Sequence, residues 1–175
     1  WPRIYAQDVG WNCTAAIWGA LDRESDTVYL YSEYKAGQAE PPIHAAAIQA
    51  RGRWIPGVID PASRGRSQVD GEKLIDLYRA LGLNLFIADN AVETGIYEVW
   101  QRLSTGRLKM FKTLSAWLGE YRIYRRGESG KIVKENDHLM DCTRYLVMSG
   151  IKRAIVEIKH QSFGTPEFHG MQSWM

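Results

Sequence analysis

The sequence predicts an α/β fold built on one mixed sheet: three antiparallel strands, then parallel strands, with helices flanking them. Three strand-like segments joined by short polar links open the chain, strands alternating with helices follow, and a late amphipathic helix closes the pattern.

Residues 3–9 alternate, with Ile4, Ala6 and Asp8 on one face. A second strand, residues 14–21, follows across the turn residues 10–12, and a third, 27–34, rich in Tyr and Val, follows the polar stretch 22–26. Links this short join antiparallel neighbours. Residues 41–49 read as a helix with Pro in its first turn and Gly52 close behind. Residues 54–60 read as a strand, strongest at Val58 and Ile59, which must stop at Asp60 because Pro61 cannot extend a central strand. Leu74, Ile75, Leu77, Tyr78 and Leu81 recur at helical spacing within 71–81, and Gly82 ends that helix. A short apolar strand at 84–88 and a helix at 94–103 complete the alternation, and a helix between strands implies parallel pairing. Residues 114–119 read as a short helix. Two further strands, 121–126 and 131–134, flank Gly127-Glu128-Ser129-Gly130 as a hairpin. Asn136 then caps a final helix over 137–149, stopped by Gly150. Beyond Arg153 periodicity fades, which divides the chain into a domain at 1–153 and a tail at 154–175 that is either partner-docking or disordered. This order of elements matches a ribonuclease H-like mixed sheet.

The bulk numbers set the bounds. With 175 residues, 45% hydrophobic and 24% charged, the chain suits one globular domain. It contains no apolar run of membrane-spanning length and no secretory signal. Beginning at Trp1-Pro2 without Met, it reads as a piece of a longer protein. Cys13 and Cys142 are too few and too far apart for a zinc site or a disulfide framework. A net charge of +2 says little about partners, but basic residues cluster at Arg51 and Arg53, at Arg64 and Arg66, through 122–134, and at Lys152 and Arg153. Trp18, Trp54, Trp100 and Trp117 are assigned to packing.

Three aspartates carry the chemistry. Asp8 ends the first strand, Asp60 the fourth, and Asp141 lies inside the late helix. Parallel neighbours place their carboxyl ends on one sheet edge, where ligands of α/β folds bind. Three carboxylates together repel, and hard cations with oxygen ligands relieve that repulsion. Two Mg2+ or Mn2+ ions in such a site activate water and stabilise the leaving oxygen of a phosphodiester. Each aspartate also has a plainer reading. Asp8 before Val9-Gly10 starts a turn, Asp60 before Pro61 initiates one, and Asp141 pairs with Arg144 one turn on. Asp137 and His138 share the Asp141 face; Asp137 is either a first-turn acid or a ligand, and His138 either an exposed residue or a contact to metal or water.

The segment Asn136-Asp137-His138-Leu139-Met140-Asp141-Cys142-Thr143-Arg144-Tyr145 resembles the late-helix motif of phage large terminase nucleases. Tyr5-Ala6-Gln7-Asp8-Val9-Gly10 is similar to their first-strand motif, and Val58-Ile59-Asp60-Pro61-Ala62 to their second acidic motif, all in the family order over roughly residues 1–150. The resemblance implies a metal-dependent endonuclease that cuts concatemeric viral double-stranded DNA during genome packaging in the host cytoplasm. It assigns Asp8, Asp60 and Asp141 as metal-binding catalytic residues, His138 as an accessory catalytic residue, and Asp137 as a weaker metal ligand. Its implied partners are an ATPase domain of the same polypeptide, the portal protein and the small terminase subunit, with no membrane. No G-x-x-x-x-G-K-[ST] occurs here, so this piece alone cannot drive translocation by ATP hydrolysis.

For DNA, the expected contacts are Arg122, Arg125, Arg126, Lys131 and Lys134 on the 121–134 hairpin, with Arg64 and Arg66 just after Asp60. The bland alternative is a solubilising surface. Three rival functions stay open: an actin-like phosphotransferase, which needs a second nucleotide-binding half, a ribonuclease H-like resolvase or integrase, and a non-enzymatic packaging module with an inert acidic cluster.

Overall fold

A computed structural model describes residues 1–64 and 73–158. Arg66, the start of the 71–81 helix, the side chain of Arg64 and the tail from 159 lie outside the described residues. Strands β1 (Arg3–Asp8), β2 (Thr14–Asp22) and β3 (Thr27–Ala36) form the antiparallel meander. Then come α1 (Pro41–Gln49), β4 (Gly57–Ile59), a 3-10 turn at Pro61–Arg64, α2 (Leu74–Ala80), β5 (Leu85–Ile87), α3 (Val92–Ser104), β6 (Leu108–Met110), α4 (Ser115–Ile123) and α5 (His138–Tyr145). The six strands form one sheet in the order β5-β4-β1-β2-β3-β6, with β1 and β4, β4 and β5, and β3 and β6 paired in parallel. This is the mixed α/β sheet that the sequence predicts.

The period-2 pattern divides the core between two faces. Tyr5, Ala16, Trp18 and Ile59 face α1 and α2, which supply Ala45, Ile48, Ile75 and Tyr78. Ile4, Ala6, Ile17, Leu30 and Val58 face the other way, onto Trp117 of α4 and Leu139, Cys142, Tyr145 and Leu146 of the closing helix. The second face matters for function, because Asp8 and Asp60 continue it. Gly57 lets β4 lie against β1: a Cβ there would stand 2.3 Å from the Tyr5 ring.

Five local readings are corrected. Residues 121–123 are the end of α4 rather than a strand, since Tyr121 stacks on Trp117 one turn before it, with centroids 5.1 Å apart. Of the expected hairpin only an isolated bridge, Arg126 to Ile132, is formed. Asn136 does not cap α5. It sits in the left-handed region (φ 49°), and the preceding-helix position falls to Asp137, which makes no side-chain cap bond. The helix does not run regularly to 149 either, for Leu146–Gly150 widens into a π-helical turn before a 3-10 turn at Ile151–Arg153. Finally, Trp18 and Trp117 are buried, but Trp100 is 60% exposed on α3. Strand β6, which pairs with Val28–Leu30 of β3, was not anticipated.

Two glutamates replace the absent local caps. Glu33 on β3 accepts from Ala116 N and Trp117 N at the start of α4, at 3.0 and 2.8 Å. Glu120 on α4, 3% exposed, accepts from Leu139 N at 2.6 Å and Met140 N at 3.3 Å at the start of α5, and pairs with Lys35 Nζ at 2.6 Å. Each carboxylate also meets the positive end of a helix dipole. A Glu120→Ala substitution strands two buried N–H groups, and thermal or denaturant unfolding should show a loss of about 2–4 kcal/mol. A loss below about 0.5 kcal/mol would mean that water caps α5 instead.

The chain leaves α5 by way of Ala154 and Ile155, where Arg3 and Ile155 exchange backbone hydrogen bonds of 2.6 and 3.2 Å and Arg23 donates to the Ala154 carbonyl.

Candidate active site

Asp8 and Asp60 are brought together by strand register. Gln7 pairs with Ile59 across the parallel β1–β4 ladder, and Asp60 N donates to Gln7 O at 3.0 Å, so the two aspartates are the next residues on neighbouring strands. Ala6 and Val58, two residues earlier, lie in the core beneath α5, which puts both aspartates on that face at the carboxyl end of the sheet. Helix α5 crosses there and adds His138 and Asp141, with Asp137 at its N-cap.

Each carboxylate is held by a different partner. Asp8 Oδ2 lies 2.8 Å from His138 Nδ1. Asp60 Oδ1 accepts from Tyr145 Oη at 3.1 Å and from Ala62 N at 3.1 Å, while the Ser63 hydroxyl donates to the Asp60 carbonyl at 2.6 Å. Asp141 Oδ1 accepts from Arg144 Nη2 at 2.9 Å, and its Oδ2 from Lys134 Nζ at 2.8 Å. Lys134 Nζ is also 2.8 Å from Asp137 Oδ2, so one ammonium bridges the two carboxylates.

The electrostatics agree with a shared acidic pocket. Burial pushes the Asp8 carboxyl above its ordinary value against the opposing pull of His138, and the charges of Asp60 and Asp141 push it further. His138 is pushed up to about 10, chiefly by its hydrogen bond to Asp8, and is therefore an imidazolium at neutral pH, with Nδ1–H donating. The Tyr145 hydroxyl is pushed up by burial first, then by Asp60, Asp141 and Asp8 together. One hydroxyl thus feels all three acids.

Among the described residues, no three acid, imidazole or thiol groups converge as a ready cation cage. Register sets Asp8 and Asp60 at one edge, and α5, which carries Asp141, is tied to them through His138 and Tyr145. The carboxylate oxygens are turned toward Lys134, Arg144, His138 and Tyr145 instead of toward one point. The donor set itself suits a hard cation: the carboxylates of Asp8, Asp60 and Asp141, with that of Asp137 beside Asp141 on Lys134.

Arg144 fixes the geometry of Asp141. Its side chain is 3% exposed, its Nη1 donates to Asn90 Oδ1 at 3.2 Å, and its guanidinium lies 4.6 Å from the Tyr145 ring centroid. It packs across Gly95 of α3 so closely that a Cβ there would stand 2.4 Å from the Arg144 stem. Sequence reasoning named Arg144 as an ion-pair partner but gave Tyr145 no role, although both stand in the late-helix motif.

The basic residues expected on DNA separate into groups. Arg122, Arg125 and Lys131 are exposed, with Arg125 Nη1 donating to the Ile123 carbonyl. Arg126 is exposed but paired with Glu93 at 2.6 Å. Lys134 is turned onto the acidic pocket.

Comparison with known proteins agrees with this architecture. The family described as Terminase RNaseH-like domain matches residues 6–149. The terminase large subunit of Enterobacteria phage LP7 is 31% identical over 160 residues, which cover 86% of this chain but 33% of that protein; the chain thus spans about a third of its relative's length. The structure of the P22 large terminase nuclease domain superposes with a TM-score of 0.78 at 32% identity, covering 87% of this chain and 82% of that one. The nuclease domain of the SPP1 large terminase, g2p, solved with bound Mn, superposes with a TM-score of 0.60 at 12% identity, covering 82% of this chain and 84% of that one, a likeness of fold. With most of its length matched by the family and its sheet shared with these nuclease domains, the chain belongs to the terminase RNaseH-like domain family.

Proposed function

We propose that this domain is a divalent-metal-dependent DNA endonuclease that cuts concatemeric double-stranded viral DNA during genome packaging. The observation that carries this reading is the register that makes Asp8, at the end of β1, and Asp60, just after β4, neighbours at one sheet edge, to which His138 and Tyr145 tie α5 and its Asp141. The likeness to the P22 nuclease domain and the bound Mn of the SPP1 domain support it.

Asp8, Asp60 and Asp141 would hold Mg2+ or Mn2+, two ions in this reading, with Asp137 within reach. When bound, the metal supplies an activated water and neutralises charge at the phosphate. The remaining work falls to the chain. Arg144 and Tyr145 anchor the Asp141 and Asp60 carboxylates, each by one oxygen. His138 keeps a proton at Nδ1 beside Asp8 and presents a positive charge at the mouth of the site. Arg122 in the last turn of α4, with Arg125 and Lys131 on the exposed segment between α4 and α5, would position the DNA backbone without reading sequence. Arg64 and Arg66 belong to the same proposal. The ATPase domain of the same polypeptide, the portal and the small terminase subunit are the proposed partners, with the host cytoplasm as the site of action. No helix among the described residues is long and apolar enough to cross a membrane.

Incubation of supercoiled plasmid with the protein tests the reading. Nicked and linear products should appear with Mn2+ or Mg2+ and vanish with EDTA. Folded protein that leaves the plasmid intact with either ion would contradict it, and a strong preference for branched DNA would move the assignment to a resolvase.

A further inference from the structure

Two cations neutralise the acids of α5, and they are built differently. Arg144 is buried, wedged against Gly95, bonded to Asn90 and stacked on Tyr145, so it cannot leave without dismantling the α3–α5 contact. Lys134 comes from the segment before α5, and its side chain is 60% exposed. Its ammonium bridges Asp137 Oδ2 and Asp141 Oδ2, each at 2.8 Å, although those two side chains are only 9% and 11% exposed. A flexible, water-facing stem thus delivers one positive charge into a pocket of two nearly buried carboxylates. That one positive charge is shared between two carboxylates.

We propose that Lys134 is a placeholder cation: its ammonium occupies the acidic pocket in the metal-free protein, and an entering divalent ion displaces it. The proposal rests on the metal reading given above and adds to it a residue that competes with the metal for the same oxygens. A divalent ion brings twice the charge and can bind several oxygens at once, whereas the ammonium is a single charge on a mobile stem. Arg144 meanwhile holds Asp141 by Oδ1, so displacement of Lys134 vacates Oδ2 without releasing the side chain. The displaced ammonium swings toward solvent, to which its side chain is already open. Competition of this kind keeps the acids from repelling one another before the metal arrives, at a cost in apparent metal affinity.

Calorimetric Mn2+ titration of the 175-residue chain and its Lys134→Met and Lys134→Gln variants, beside thermal melts with and without Mn2+, tests this. Both variants should bind Mn2+ about 5- to 10-fold more tightly than the unaltered protein, the scale of a modest coupling between competing ligands. Both should melt lower than the unaltered protein without metal and be raised by Mn2+ to its level. Unchanged or weaker Mn2+ binding in the variants would overturn the placeholder while leaving the metal site standing. Mn2+ binding that is absent from the unaltered protein, or that survives Asp60→Asn, would overturn the metal reading and the placeholder with it.

Discussion

Replacing Asp60 with asparagine should lower DNA cleavage by about three orders of magnitude or more and leave the metal-free melting temperature unchanged or slightly raised. The size of the first effect follows from the metal, whose loss removes several kcal/mol of transition-state stabilisation, at about 1.4 kcal/mol per tenfold. The second follows from the local bonds. Both described partners of the Asp60 side chain, Tyr145 Oη and Ala62 N, donate to Oδ1, and an amide oxygen accepts them equally well. The substitution also removes a negative charge that pushes up the Asp8 carboxyl, so self-repulsion in the pocket falls. Plasmid cleavage and a thermal melt on the same preparation measure both effects. A fall in melting temperature of more than about 5 °C, corresponding to a loss of roughly 1–2 kcal/mol for a domain of this size, would make Asp60 a structural hub.

Asp141 should behave otherwise. Asp141→Ala should abolish cleavage and also destabilise the fold by about 3–5 kcal/mol, because it leaves the Arg144 guanidinium buried and unpaired. In a thermal melt the loss would appear as a fall on the order of 10 °C. Asp141→Asn, which keeps an oxygen acceptor for Arg144, should recover part of that stability and none of the cleavage. An alanine variant as stable as the unaltered protein would show that Arg144 finds another partner, and would remove the argument that this pair holds the pocket in shape.

The contrast between these residues bears on what the sequence could show. The strand ends at Asp8 and Asp60 were legible from the alternation around Ala6 and from Pro61, whereas the pairing of β1 with β4 that makes the two aspartates neighbours is a long-range contact without a local signature. Helix α1 was legible from Pro41 and the small apolar run behind it. Strand β6 was hidden because its three residues, Leu-Lys-Met, carry no β-branched side chain and owe their conformation to pairing with β3. The end of α4 was misread because Tyr121 and Ile123 favour strands locally, whereas stacking on Trp117 decides for helix. The capping of α4 and α5 by Glu33 and Glu120 depends on contacts distant in sequence, and no local pattern announces it. Lys134 shows the same limit within the site. As part of a basic run it read as a DNA contact, but the turn through Asn136 folds it back onto the two acids that follow.

The position of a bound ion tests the central claim most directly. A crystal of the chain soaked in Mn2+ should give anomalous difference peaks in contact with the carboxylates of Asp8, Asp60 and Asp141, with Lys134 withdrawn from Asp141. Strong Mn2+ peaks elsewhere and none against these three side chains, in a crystal whose sheet edge is open to solvent, would contradict the account.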